Sequence, residues 1–404
     1  MKNLIHVKLR SLIFTLGLGL AMISCQPQEN LSPSDLDAQE FIQFKNGDII
    51  PGQYIVVLNP TGIASRKDLS YESAQAAMRR TSVAILAKYR ISEEQLGHVY
   101  GSTIEGFSIN LTAEQSEILA KDPAVKFVEQ DRIISIAQGK GKPGGGGGST
   151  GQTTPWGITR VGGPVNYSET AKAYIIDTGI DLDHPDLNVS STGYNAFTSG
   201  KDAGSLDDGN GHGTHVAGTV AAINNTIGVV GVAAGALVVP VKVLDSRGSG
   251  SYSGVIAGVN WVAGDAKSGD VANMSLGGPV SQALDDAVVA ASSKAKFAIA
   301  AGNSSANAGN YSPARANGTN IFTVSSMAQG DVWSSFSNFG NPPVEYCAPG
   351  SSINSTWKGG GYNTISGTSM AAPHVAGILL LGGVKSGGLV SGDPDGNPDT
   401  IAVR

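Results

Sequence analysis

Three stretches of this chain set a nucleophile, a base and an acid among small residues. In Ile365-Ser366-Gly367-Thr368-Ser369-Met370-Ala371-Ala372-Pro373-His374 a serine opens a helix, where backbone N–H groups can receive a developing oxyanion. In Gly209-Asn210-Gly211-His212-Gly213-Thr214-His215 a helix begins near His212, and glycines clear space around its imidazole, the side chain best suited to shuttle a proton near neutral pH. In Ala173-Tyr174-Ile175-Ile176-Asp177-Thr178-Gly179 a carboxylate closes an apolar run, where its charge is costly unless it meets donors. Taken singly, each has a plainer reading: Ser369 as a helix cap, Asp177 as a turn residue. His212 and His215 have a spacing that would suit a metal pair, but no third nitrogen or sulfur ligand accompanies them. Pro373 is expected within a first helical turn, which tolerates it, and His374 reads as structural.

These residues need a rigid frame. Segments 172–176, 236–243, 271–274, 296–301 and 321–325 are nearly continuous in Val, Ile and Ala, as strands buried on both faces of a parallel sheet must be. The fold class expected is α/β, an open, mostly parallel sheet flanked by helices, with function at the carboxyl ends of its strands. Upstream, 53–58 is β-rich, 73–89 has helical spacing, 106–111 alternates, 112–121 reads as a second helix and 125–136 as a further strand. That order predicts a small α+β domain with an antiparallel sheet and two helices. Between the two lie five consecutive glycines, 144–148, expected to be a flexible linker that cannot pack. The expected division is a signal peptide at 1–24, a polar tether at 25–48, the small domain at 49–137, the linker at 138–151 and the α/β domain at 152–404.

Among the 404 residues, 27 Lys and Arg stand against 33 Asp and Glu, a formal charge of -6, with no basic run. Nucleic acid is therefore excluded as a partner class, since phosphate binding relies on clustered positive charge. The two cysteines, Cys25 and Cys347, exclude a cysteine-rich zinc cage. Lys2, Lys8 and Arg10 precede an apolar stretch and the small Ser24, the layout of a secretory signal too short to span a bilayer comfortably. Its end, Met22-Ile23-Ser24-Cys25, resembles a bacterial lipobox, which implies a lipid on Cys25 and contact with a membrane only through it. Cys347 then reads as a small buried apolar residue.

The order Asp177, His212, Ser369, each inside its own motif, resembles the subtilisin-like serine peptidases, with proteinase K-like features in Ser335-Phe336-Ser337-Asn338-Phe339-Gly340. The likeness runs from Pro51 to Gly382, and the small first domain resembles the family's inhibitory propeptide, of the I9 type. The resemblance implies a secreted serine endopeptidase, made as a proenzyme that cuts itself, acting on protein and peptide substrates and monomeric. Ser369 would attack, His212 would move the proton, Asp177 would orient the imidazole, and Asn303 would hold the oxyanion with the Ser369 N–H. Gly248-Ser249-Gly250 and Ser275-Leu276-Gly277 would be the two edges between which a substrate strand adds, with Ala300, Ala301 and Gly302 lining a roomy, uncharged pocket. No cofactor is expected for catalysis. A structural calcium ion is implied at Gln152, Asp186, Ile223, Asn225, Ile227 and Val229, with Glu345 as an alternative carboxylate. The first cut is expected after Ala137, with the linker trimmed later toward Gly151; the mature peptidase would then be periplasmic, surface-bound or extracellular. A pseudo-enzyme would lack one of the four motif residues, a ligase would need an acceptor site, and an adhesin would need repeats beyond the short tail after Gly382.

Overall fold

The computed structural model describes residues 45–66, 69–136, 144–145 and 151–404. The expected signal, Cys25, the tether up to residue 44, Ala137 and most of the glycine linker lie outside the described residues.

The first layer is an antiparallel sheet of β1 (Ile49–Leu58), β2 (Leu96–Tyr100), β3 (Gly106–Asn110) and β4 (Val125–Ser135), in the spatial order β4-β1-β3-β2. Alternation along β1 decides what each face meets. Val56 and Leu58 pack with Phe107, Ile109, Met78 and Leu86 in a core of this layer's own. Ile55 and Val57 turn the other way and join the core of the second layer. Helices α1 (Tyr71–Lys88) and α2 (Ala113–Leu119) contribute Met78, Ile85, Leu86 and Leu119 to the first of these cores. Ser70 caps α1, and Thr112 with Gln115 forms a capping box on α2, which is why both helices start where they do. β2 was not foreseen, because Leu-Gly-His-Val-Tyr is short and follows a capped turn rather than an apolar run.

The second layer is built on β5 (Ala173–Asp177), with α3 (His212–Ala221) following it, then β6 (Val238–Lys242), a short edge strand β7 (Ser249–Ser251), α4 (Tyr252–Asp265), β8 (Val271–Met274), α5 (Gln282–Ala291), β9 (Lys296–Ala300), β10 (Ile321–Ala328) and β11 (Val344–Pro349). A hairpin of β12 (Ile353–Trp357) and β13 (Gly361–Ile365) leads into α6 (Thr368–Leu380). β6, β5, β8, β9, β10 and β11 pair in parallel, in that spatial order, as their continuous apolar runs require. On one face Tyr174 and Ile176 pack under α4 and α5; on the other Ala173 and Ile175 pack under α3 and α6.

One expectation is corrected, and one segment left unread is filled in. The tail after Gly382 is structured: β14 (Lys385–Leu389) and β15 (Thr400–Val403) pair with each other, and β15 extends the main sheet beside β11. Ile401 and Ala402 are fully buried there, which the Gly and Ser content of the segment concealed. Within the glycine linker, Gly144–Gly145 pairs antiparallel with Asn363 and Thr364 of β13, because a backbone without side chains can still fill a strand edge. Cys347 is fully buried beside Met327, Val390 and Ile401, and burial pushes its thiol well up, so it behaves as an apolar residue. Among the described residues no helix is long and apolar enough to cross a membrane.

Candidate active site

Asp177 ends β5, fully buried, and its carboxylate oxygens lie 2.8 and 3.0 Å from Nδ1 of His212, the first residue of α3. A carboxylate that close makes Nδ1 the protonated nitrogen and turns Nε2, itself buried, away from Asp177. Burial pushes the imidazole down, but the charge and hydrogen bond of Asp177, with Asp208 behind them, leave it above its ordinary value. The start of α3 is fixed by Asp208, whose buried carboxylate accepts from Gly211 N, Thr214 N and the hydroxyls of Thr178 and Thr214. That is a capping arrangement made from outside the helix.

Ser369 is the second residue of α6 and is buried. Its Oγ donates to Ser275 O at 3.1 Å, and His212 Nε2 has no hydrogen-bond partner among the described residues, so Ser369 and His212 are not bonded to each other in this state. Bonds of this kind often close only with substrate. Pro373 lies beyond the first turn of α6, contrary to expectation. Its missing N–H leaves the Ser369 carbonyl without a helical donor, and the Ser275 hydroxyl supplies one at 2.8 Å. The proline thereby ties the Ser369 backbone to the end of β8. His374 donates Nδ1–H to Met370 O, and burial pushes it down to about 4, so it is structural as expected. His215 is likewise buried and held to Ile353 O and Asn363 O, and burial takes it to about 3; it is not one of a metal pair.

Asn303 follows β9, and its side-chain carbonyl accepts from Thr368 N and Oγ1 at 2.8 and 2.9 Å. Those two bonds decide which way the amide faces. Ala300, Ala301, Gly302, Leu276 and Gly277 line a cavity of about 50 Å³ with no charged wall. Gly302 has φ +105, and a Cβ there would meet Nδ2 of Asn338 at 2.4 Å. Asn338 holds this wall, donating to Ala301 O and accepting from Ser304 N and Ala306 N.

The end of β4 occupies the cleft beside these groups. Ser135, Ile134 and Ile133 pair antiparallel with Ser249, Gly250 and Ser251 of β7, Ile136 N donates to Gly248 O, and Ser135 is bridged on its other side to Gly277. A strand from the first layer thus lies between the two edges expected to receive substrate. The same strand carries Glu129 and Asp131, which accept from Ala283 N at the start of α5 and Ser253 N at the start of α4. Two carboxylates at two helix N-termini clamp the layers together.

Residues 171–383 match the family Peptidase S8, the subtilase family, and residues 53–137 match Peptidase inhibitor I9. The chain belongs to the subtilase family. It is a serine protease by family, and its first layer is an I9 propeptide. It is 44% identical over 345 residues to alkaline serine exoprotease A of Vibrio alginolyticus, covering 82% of this chain and 60% of that relative's length. It is 40% identical over 340 residues to the subtilisin-like serine protease AsES of Sarocladium strictum, covering 76% and 82%. A crystal structure of a cold adapted subtilisin-like serine proteinase aligns with TM-score 0.50 and 45% identity over 56% of this chain and 83% of that one.

In this subtilase the six residues expected at a cation site converge. Nε2 of Gln152 lies 2.7, 3.2, 3.5 and 3.2 Å from Ile223 O, Asn225 Oδ1, Ile227 O and Val229 O, and Asp186 accepts from Asn225 Nδ2 and Val229 N. Glu345 instead accepts from Thr323 N across the sheet, and burial raises it to about 7. Sequence reasoning missed Asp208, Thr368, Ser275 as a hydroxyl, and Lys242, whose buried Nζ donates to Thr178 O at 2.7 Å next to Asp177. Asp208 stands beside a motif already noted, and Thr368 and Ser275 inside segments already quoted; Lys242 carried no local signal.

Proposed function

We propose that this subtilase is an exported serine endopeptidase of broad specificity that matures by cutting its own chain. The observation that carries the reading is the β4 tail laid as a strand between Gly248–Ser251 and Gly277, two residues from Ser275, whose carbonyl accepts from Ser369 Oγ. Ser369 Oγ attacks the scissile carbonyl as its proton passes to His212 Nε2, and a tetrahedral oxyanion forms. Collapse expels the amine, which takes that proton, and leaves an acyl group on Ser369; water, deprotonated by His212, then releases the acid. Asp177 holds the tautomer and stabilises the imidazolium. Asn303 and the Ser369 N–H hold the oxyanion. The uncharged pocket of Ala300, Ala301 and Gly302 favours aliphatic or aromatic residues before the cut.

The first self-cut falls after Ala137, one residue beyond the tail held in the cleft, and linker residues are trimmed later toward Gly151. That separates the peptidase from the exported N-terminal region, with its lipid on Cys25. The domain limits then follow as 49–137 for the propeptide, 138–151 for the linker and 152–404 for the peptidase. Calcium suits the oxygens around the Gln152 amide together with Asp186, since it takes six to eight oxygen ligands, and it would add stability without entering the reaction. A fluorophosphonate should label Ser369, and residues 26–404 should hydrolyse casein while Ser369→Ala does not; labelling elsewhere overturns the reading. Mass spectrometry of the mature chain checks the cut, and a stable N-terminus before Gln138 refutes it.

A further inference from the structure

The chain ahead of β1 does more than lead into it. Lys45–Asp48 precede the segment matched to the inhibitor family, yet they run beside the inhibitory tail. Gly47 N donates to Ile133 O and Ile133 N to Asp48 O, each at 2.8 Å, and the Arg132 guanidinium donates to Gly47 O at 3.0 Å. From there the chain touches the peptidase. Asn46 Nδ2 donates to Gly277 O at 2.9 Å, while Gly277 N donates to Ser135 O of the tail at 3.3 Å. One residue of the cleft rim thus holds both segments at once. Gly47 has φ +88, and a Cβ there would lie 2.6 Å from Pro279 Cγ, so its backbone rests directly on that ring. Asn46 is also one wall of the small cavity formed by Leu276, Ala300, Ala301 and Asn303.

We propose that the rim Gly277–Pro279 is a second strand-docking surface of the cleft, and that its partner is this chain's own Lys45–Asp48, an inhibitory strap added to the I9 fold. The tail alone is held by β7 along one edge and by a single residue along the other. The strap doubles the tail into a two-stranded ribbon and sets an amide side chain over the pocket, so peeling the tail out requires breaking both sets of bonds. This inference rests on the propeptide reading. It makes the functional inhibitor longer at its N-terminus than the family domain.

The test uses the full chain. Asn46→Ala and Gly47→Val are compared with Lys45→Ala for the lag before peptide hydrolysis appears. Asn46→Ala should shorten the lag about 3- to 10-fold, the weight of one neutral hydrogen bond, and Gly47→Val by more. Lys45→Ala should leave it unchanged. The mature peptidase should have the same kcat in all, since the strap is gone. In a Ser369→Ala background, which cannot cut itself, hydrogen exchange at the Ile133 and Gly277 amides should accelerate at least 10-fold with Gly47→Val, while β3 stays protected. Unchanged lag and unchanged exchange in both variants overturn the strap. If Gly47→Val loosens the whole first layer, Asn46→Ala decides, because truncating that side chain leaves the backbone pairing of β1 intact. If no variant processes at all, the maturation reading fails, and faster or unaltered exchange at Gly277 still judges the strap.

Discussion

Helix α1 of the propeptide and helices α3 and α6 of the peptidase are built on opposite terms. Of the 18 residues of α1 five are buried, whereas all 10 of α3 and all 13 of α6 are. α1 is an amphipathic helix lying on a sheet, replaceable along its outer face. α3 and α6 are packed on every side, and each carries a chemical residue at its first turn. A helix surrounded in this way cannot shift without displacing its neighbours, so His212 and Ser369 are held by packing as well as by hydrogen bonds. The propeptide makes the contrary choice: its own core is a single small cluster, and it meets the peptidase through one face of its sheet, by β4 in the cleft, by Ile55 and Val57 in the second layer's core, and by Tyr100 and Ser102 on α4.

The largest test of this contrast is chemical. Ser369→Ala or His212→Ala should lower kcat by about 10⁴ to 10⁶ with folding unaltered by circular dichroism, while no single change on the outer face of α1 should lower kcat of the mature enzyme at all. Packing comes next. Helix propensity alone would make Gly213→Ala stabilising, but a Cβ there would meet Gly179 O at 2.1 Å. It should destabilise a Ser369→Ala chain by about 3 kcal/mol in urea titration. A gain instead would show that α3 can yield.

Calcium should reinforce the peptidase side, since all six of its proposed ligands lie there and four of them follow α3. At a hundredfold excess over Kd it should add about 2.7 kcal/mol, read as a higher Tm and slower autolysis. Asp186→Ala should remove that gain and spare initial turnover; an unaltered response would put the ion elsewhere.

A fourth prediction probes the contact between the two regions. Asp285 is buried beside Glu129 of the propeptide, with Arg315 at 3.3 Å, and burial raises its carboxyl to about 7. A carboxyl raised on folding favours the folded chain when protonated, so its contribution is full below the ordinary carboxylate range and fades as pH rises through about 7. Between pH 8 and pH 6 the Ser369→Ala chain should gain about 1.4 kcal/mol that Asp285→Asn does not show. Equal slopes in the two chains would contradict it. Smallest of all, Ala76→Gly on the exposed side of α1 should cost about 1 kcal/mol, its propensity alone, by the same titration; a loss as large as that of Gly213→Ala would erase the contrast.

The amino-acid sequence by itself determined the parts that repeat or that carry a motif. Apolar runs marked the parallel strands, helical spacing marked the propeptide helices, and Asp177, His212, Ser369 and Asn303 stood inside segments whose small residues announced crowded backbone. What the tertiary structure decided depends on partners far apart in the chain. The Ser369 carbonyl freed by Pro373 is answered by Ser275, 94 residues away, and Lys242 reaches Thr178 across 64. Asn46 reaches Gly277 across 231. Periodicity reports which face of an element is apolar, and it is silent on which distant polar group will meet a given carbonyl. That choice is made only when the layers close, because a buried donor or acceptor must find its partner wherever the fold has brought one.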